Sequence, residues 1–415
     1  MEHIQNLCET DHYFVRSWYG SEASQFIVVS FTGIDAPERY DGSFFGAALA
    51  RQLDLPWVGV VARQNGWYRE GDYTAIFQLI RAWIAKRRMA LSTPGSVRVI
   101  GYGISMGAYA AIKYSRVLGL DNVLALAPQW SLDKEEAPYF SQFKHFFQPF
   151  MKRMGISQED VSGRIYALYD PYELPDLEEI ENLRYHTEVE PVAACYASHM
   201  VLSCLKGSKP FRAMLDNLDN PAAVCQIVAE TRRYNIENII RVIERAFRHR
   251  PSLGAKALTC RRTMLAVNQC SRDQSNRLWR IAADLMRFGY TRDADAFFAM
   301  ATGNHPPAVA LPRLMNWRGE LLCYNHASGE FSQTHRHLCQ DGTMVTLLGN
   351  ELVAVTPAGL VPVPGRVKAI RGRCSIEING HYLSSRENGR IELLSTLDDW
   401  EEFILLPVRQ WPCMR

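Results

Sequence analysis

One pentapeptide constrains this chain more than any other feature: Gly103-Ile104-Ser105-Met106-Gly107. It joins an apolar run, Ser96–Tyr102 (SVRVIGY), to a stretch with helical spacing, Met106–Leu118. A chain that passes from strand to helix in so few residues brings the two backbones almost into contact. A side chain at position 103 or 107 would collide with the neighbouring strand or helix, so both positions call for glycine. Such a turn exposes the Ser105 hydroxyl. It also places a helix N-terminus beneath that hydroxyl, where free N–H groups and the helix dipole favour a developing oxyanion.

The flanking sequence repeats the same grammar. Short apolar runs at Gln25–Phe31, Leu55–Ala62, Asn122–Ala127, Arg164–Tyr169 and Glu190–Tyr196 are candidate buried strands. Tyr73–Arg88 carries Ile76, Leu79, Ile80, Trp83 and Ile84 at helical spacing, and Leu177–Leu183 is a further helix candidate. Alternation of this kind predicts a mostly parallel sheet covered by helices, an α/β domain over residues 1–206. With few residues ahead of position 25, the antiparallel strands that often open such a sheet are expected to be truncated.

The strand–GxSxG–helix context resembles the α/β-hydrolase family, over roughly residues 20 to 206. The resemblance implies a triad in the chain order serine, acid, histidine, with Ser105 as nucleophile. Asp170 ends the strand RIYALYD, where the family places its acid, and Asp176 and Glu173 are substitutes nearby. His199, in CYASHMVL, follows the strand candidate EPVAACY, whereas His186 precedes it; His199 is therefore the expected base. The oxyanion donors are expected from the N–H of Met106 and from Thr32 or Gly33 in SFTGID. That loop also carries Asp35, Arg39 and Asp41, and no HGGG-type lipase signature is present. Trp67 and Tyr68, after the strand LPWVGVVA, and Trp130, with Asp133 near it, are candidate substrate contacts, the alternative for the aromatic pair being packing under the next helix.

The remaining half changes character twice. Residues 207–306 hold helix-like segments, Ile236–Phe247 and Arg277–Met300, and LMRFGYTRDADAFFAMA looks like half of a tetratricopeptide-type hairpin. A single copy favours a plain helical region, since repeat arrays need several. Residues 307–415 contain a clear internal repeat. Gly319–Phe331 (GELLCYNHASGEF), Gly349–Val361 (GNELVAVTPAGLV) and Gly380–Ile391 (GHYLSSRENGRI) each read glycine, leucine three residues on, then a glycine-containing turn. One hairpin cannot bury its apolar face, and three closing on an axis can. An all-β, β-trefoil-like domain is expected, with a three-hairpin sandwich as the alternative. From Trp317 to Val408 the motif NGHYLSSRENGRIELL…WEEF resembles fascin-like trefoil repeats, which implies a carbohydrate or protein ligand; the Q-x-W signature of ricin-type lectins is missing. Tyr324, Asn325, His326, Arg386 and Asn388 sit in the repeat turns.

Composition adds exclusions. The 415 residues carry 46 basic and 44 acidic side chains, so there is no basic field for nucleic acid. A hydrophobic fraction of 47% suits globular cores, and no stretch reaches the roughly 20 apolar residues of a membrane span. Ten scattered cysteines include no CxxC pair, and the first residues show no secretion signal pattern, so a cytoplasmic protein with reduced thiols is expected. The motif and the family resemblance imply a serine esterase that cleaves an ester through an acyl-enzyme, an acylated glycan being one candidate substrate, with no metal and no organic cofactor expected. The alternatives are an O-acyltransferase of polysaccharide or glycoprotein biosynthesis, and a non-catalytic scaffold for glycan or protein.

Overall fold

The computed structural model describes residues 4–35, 42–71, 73–139, 141–267, 269–287, 290, 293, 296–297, 313–334, 343–348, 351–356, 359–370, 373–386 and 390–406. Arg39, Asp41, Asn388 and the expected boundary at 306/307 lie outside the described residues. The chain divides into two compact units, Met1–Asn238 and Ile239–Arg415.

The first unit is built on an eight-stranded sheet. In chain order its elements are β1 (Gln5–Glu9), β2 (Tyr13–Trp18), β3 (Phe26–Phe31), α1 (Ala47–Leu53), β4 (Trp57–Ala62), α2 (Tyr73–Met89), β5 (Arg98–Ile104), α3 (Met106–Lys113), α4 (Ser115–Leu118), β6 (Asn122–Leu126), β7 (Arg164–Tyr169), α5 (Leu174–His186), β8 (Glu190–Ala193), α6 (Val201–Cys204), α7 (Ser208–Asp216) and α8 (Pro221–Tyr234). The strand order is β1-β2-β4-β3-β5-β6-β7-β8. From β4 to β8 all neighbours are parallel, while β1–β2 and β2–β4 are antiparallel. The antiparallel opening is therefore present; its strands escaped the sequence reading because β1 is largely exposed and β2 mixes Arg16 and Ser17 into an apolar run. This mixed sheet with its helices fits an α/β-hydrolase.

Strands covered on both faces need apolar residues at every position, which is why β3, β4 and β6 read as unbroken hydrophobic runs. Alternate side chains then feed two cores. Ile27, Val29 and Phe31 pack with Ile76, Ile80 and Ile112 from α2 and α3. Val28, Ile100, Tyr102 and Leu124 pack with Ala47 and Ala50 of α1 and with Phe211, Met214, Leu215, Val224 and Val228. Those last five residues belong to α7 and α8. They carry the first unit past the expected boundary at 206, because without these two helices part of that sheet face would stay uncovered.

In the second unit, helices α9 (Ile236–His249, whose first residues belong to the first unit), α10 (Pro251–Leu258), α11 (Arg261–Val267) and α12 (Arg272–Arg287) precede a ten-stranded antiparallel sheet between Arg313 and Leu406. Each of the three sequence repeats forms a hairpin: Tyr324 pairs with Phe331, Ala354 with Val361, and Ser385 with Ile391. Leu322, Leu352 and Leu383, at the repeated leucine position, share one apolar cluster with Phe403. Among the described residues no helix is long and apolar enough to cross a membrane.

Candidate active site

Ser105 occupies the turn between β5 and α3 with φ +54° and ψ −119°. For a residue with a Cβ this is a costly backbone conformation, of the order of 1–3 kcal/mol. The surroundings enforce it. A Cβ at Gly103 would lie 2.3 Å from the Gly107 carbonyl oxygen, and one at Gly107 would lie 2.2 Å from the Phe31 carbonyl oxygen. The Ser105 N–H donates to the Leu126 carbonyl at 2.8 Å, fastening the turn to the end of β6.

His199 reaches Ser105 from beyond β8. Its Nε2 stands 3.0 Å from Ser105 Oγ, and its Nδ1 stands 2.8 Å from Asp176 Oδ1. The ring is sheltered by Phe143, whose centroid is 4.8 Å away. The acid partner is thus Asp176 and not Asp170. Asp170 does end β7, but its carboxylate is committed to the backbone: Oδ1 accepts the Tyr172 N–H at 3.0 Å and Oδ2 the Ser198 N–H at 2.8 Å. It holds down the loop in which Tyr196 (φ +64°) and Ser198 (φ +51°) are wound left-handed just before His199. Asp176 lies in the first turn of α5, after Pro175. Glu173, the other substitute, immediately precedes that helix. Proline followed by an acid at a helix start is a readable sequence signal, and it marks position 176.

Of the expected oxyanion donors, Met106 opens α3, where the first N–H groups have no intrahelical acceptor. Gly33 lies against Ile104, the residue before Ser105, close enough that a Cβ there would sit 3.3 Å from the Ile104 carbonyl oxygen. Thr32 is excluded as a donor. Its N–H is spent on the Val60 carbonyl at 3.2 Å, and its hydroxyl pairs with that of Tyr68 at 2.9 Å. The loop after β3 is tied down by Asn65, which accepts the Asp35 N–H at 3.0 Å and donates to Asp35 Oδ1 at 3.2 Å.

The aromatic candidates pack inside the protein. Trp67 and Tyr68 are both 0% exposed despite positive φ. Tyr68 stacks on Tyr13 and meets Phe31 edge-on. Burial pushes its hydroxyl above the usual phenol range, with the Thr32 hydrogen bonds opposing. Trp130 is also buried; its ring lies parallel to His186 at 4.5 Å and its Nε1 donates to the Ile156 carbonyl. None of the three offers a face to a substrate, because each fills the space between the sheet and its covering segments. Asp133 is likewise committed, accepting the Glu135 and Arg153 N–H groups.

The residue that the sequence did not single out is Gln129. It is 1% exposed, and its Nε2 lies 3.3 Å from Ser105 Oγ and 3.2 Å from the Ala127 carbonyl. Trp67 Nε1 donates to its Oε1 at 3.3 Å, which fixes the amide's orientation. A glutamine two residues past a strand carries no signal of its own; only the fold brings it to the serine.

No family model matches the chain, and no curated protein matches it. Among solved structures it is similar to an esterase of Pyrococcus furiosus, at 13% identity and a TM-score of 0.34, over 55% of this chain and 92% of that one. It is also similar to the capsule O-acetyltransferase of Neisseria meningitidis serogroup A, at 13% identity and a TM-score of 0.30, over 45% of this chain and 85% of that one. A glycosylation associate protein complex of Streptococcus agalactiae aligns at 15% identity and a TM-score of 0.35, over 52% of this chain and 46% of that one.

Proposed function

We propose that this protein is a serine hydrolase that cleaves an ester through an acyl-enzyme at Ser105. The observation that carries this reading is His199 bridging Ser105 Oγ and Asp176, at 3.0 and 2.8 Å, with Ser105 held on a left-handed elbow. In the first step His199 Nε2 takes the hydroxyl proton as Ser105 Oγ bonds to the ester carbonyl carbon. The carbonyl oxygen becomes an oxyanion facing the N–H groups of Met106 and Gly33. Asp176 keeps the remaining proton on Nδ1 and stabilises the imidazolium. His199 then returns the proton to the leaving alcohol as the C–O bond breaks. Water, deprotonated by the same imidazole, attacks the acyl carbonyl carbon; the C–O bond to Ser105 breaks, the imidazolium returns its proton to Oγ, and the carboxylic acid leaves.

Gln129 steadies the nucleophile by donating to Ser105 Oγ. Gln129→Ala is expected to lower kcat/KM about tenfold, the worth of roughly one hydrogen bond, and to lower Tm by a few degrees, because it leaves the buried Trp67 Nε1–H without its acceptor. An unaltered kcat/KM for p-nitrophenyl acetate would remove Gln129 from the site.

A second reading keeps the same Ser105–His199 pair and transfers the acyl group to an alcohol, whose hydroxyl His199 would deprotonate in place of water. The C-terminal sheet, whose three repeats we read as a trefoil-like module, would then hold an acylated or acceptor glycan, and the protein would act in the cytoplasm.

A fluorophosphonate probe tests the common core. Wild type is expected to label and Ser105→Ala to remain unlabelled; an unlabelled wild type that also hydrolyses no ester in a panel from acetyl to long acyl chains ends both readings. Acetylated sugar formed from p-nitrophenyl acetate and sugar acceptors, with little free acetate, selects transfer.

A further inference from the structure

A second buried carboxylate lies beside the triad. Glu179 is three residues beyond Asp176 on α5, so the two share a helix face. They are 2% and 5% exposed. Glu179 Oε2 accepts the Trp130 N–H at 2.7 Å and the Tyr139 hydroxyl at 2.7 Å. The Trp130 nitrogen belongs to the Gln129–Trp130 peptide, and the Gln129 amide is what reaches Ser105. Tyr139 belongs to the segment from which Phe143 covers His199. One carboxylate thus fastens to the Asp176 helix both segments that touch the other two triad members.

We propose that Glu179 is a positioning residue for the Ser105–His199–Asp176 site, keeping Gln129 and Phe143 in place relative to the helix that carries Asp176. The inference rests on the hydrolase reading and deepens it. Glu179 does not touch the reacting atoms; it acts through the Trp130 N–H and the Tyr139 hydroxyl.

Its charge gives the role a distinctive signature. The groups around it are Asp176 and Glu178 on its own helix, Tyr139 and Lys144 on the segment after β6, and the stacked Trp130–His186 pair. Lys144 Nζ is itself drawn to the carbonyls of Ala137 and Tyr139. Burial first, and the Asp176 charge after it, push the Glu179 carboxyl up to about 7, against its two hydrogen bonds and Lys144. Glu179 therefore gains its negative charge near neutral pH. Ionised, it is the stronger acceptor for the Trp130 N–H and the Tyr139 hydroxyl, so its hold on both segments tightens as pH rises through neutrality.

Two variants separate charge from hydrogen bonding. Glu179→Gln keeps an oxygen to accept from Trp130 and Tyr139 but never ionises. Glu179→Ala removes the acceptor and leaves two buried donors unsatisfied. Hydrolysis of p-nitrophenyl acetate would be followed from pH 5 to 9. In Glu179→Gln the rise of kcat/KM through neutral pH is expected to flatten, because the residue that holds both segments no longer ionises. In Glu179→Ala kcat is expected to fall at least about tenfold, and Tyr139→Phe, losing one bond, should fall between. If Glu179→Ala does not fold, Glu179→Gln still decides.

A Glu179→Gln protein whose pH profile superimposes on wild type overturns the proposal, even if Glu179→Ala melts earlier. A wild type that hydrolyses no ester but labels with a fluorophosphonate, with the pH dependence of labelling flattened in Glu179→Gln, overturns ester hydrolysis and leaves the positioning role standing.

Discussion

Asp176→Asn is expected to lower kcat/KM for a simple ester about 10⁴-fold, while Asp170→Asn costs only about tenfold. Both residues lie between the nucleophile and the histidine in the chain, and both are buried. They differ in what their oxygens meet. Asp176 Oδ1 faces His199 Nδ1 at 2.8 Å, so it selects the tautomer that leaves Nε2 free to accept the Ser105 proton. An asparagine there can offer its NH₂ to Nδ1, which places the ring proton on Nε2 and removes the base. Asp170 instead accepts two backbone N–H groups. An asparagine keeps one acceptor and loses the other, leaving an N–H unsatisfied at a cost of about 1–3 kcal/mol. In a unit of this size that lowers Tm by a few degrees. Because the Ser198 N–H is the one beside His199, kcat should fall about tenfold as well. The measurement is a pair of kcat/KM values beside a pair of thermal melts. A fully active Asp176→Asn, or an Asp170→Asn that is equally dead at native Tm, would reverse the assignment.

The contrast shows where a sequence speaks and where it falls silent. Strands β3 to β7 were legible because burial on both faces leaves a one-dimensional trace, an unbroken apolar run. The elbow was legible for a similar reason: crowding of two backbones translates directly into two glycines. The repeat hairpins announced themselves through leucines that must all point into one cluster, as Leu322, Leu352 and Leu383 do. The choice between Asp170 and Asp176 left a fainter trace, because it turns on which way a carboxylate points after the chain reverses. Strand-end position favoured Asp170; the competing helix-start signal at Pro175-Asp176 pointed to the residue that His199 meets. Trp67, Tyr68 and Trp130 stand in the loops beside the site, yet they pack into the core behind it. Loop position alone does not distinguish a ring that faces a ligand from one that holds two segments together. Gln129 and Glu179 were invisible for the opposite reason, since their importance comes wholly from contacts made across the fold. The limit of the first unit was missed because α7 and α8 follow the last strand, and only the uncovered sheet face demands them.

Gly107→Ala is expected to prevent the first unit from folding stably, at a cost above about 4 kcal/mol, although it adds a single methyl group. The new Cβ would lie 2.2 Å from the Phe31 carbonyl oxygen and 2.7 Å from both the Phe31 carbonyl carbon and the Thr32 oxygen. All three atoms are backbone, so no side chain can swing away. Nor can the strand move: Phe31 is paired with Val60 on one side and with Gly103 on the other. Helix α3 would have to lift off the sheet, and its eight residues are all buried. Gly95→Ala is the matched control, since a Cβ there meets nothing within 4 Å and the residue has no left-handed φ. It should change stability by less than about 1 kcal/mol, in the stabilising direction if at all. Denaturant melts of both variants, with fluorophosphonate labelling of whatever Gly107→Ala remains soluble, test the point. A Gly107→Ala protein with the wild-type midpoint would show that α3 is free to retreat. Labelling should be lost with the fold, because the close approach that excludes a methyl group at 107 is also what brings the Met106 N–H and the Gly33 loop to the same side of Ser105. The packing constraint and the proposed oxyanion site are one feature, and a substitution cannot relax the first while keeping the second.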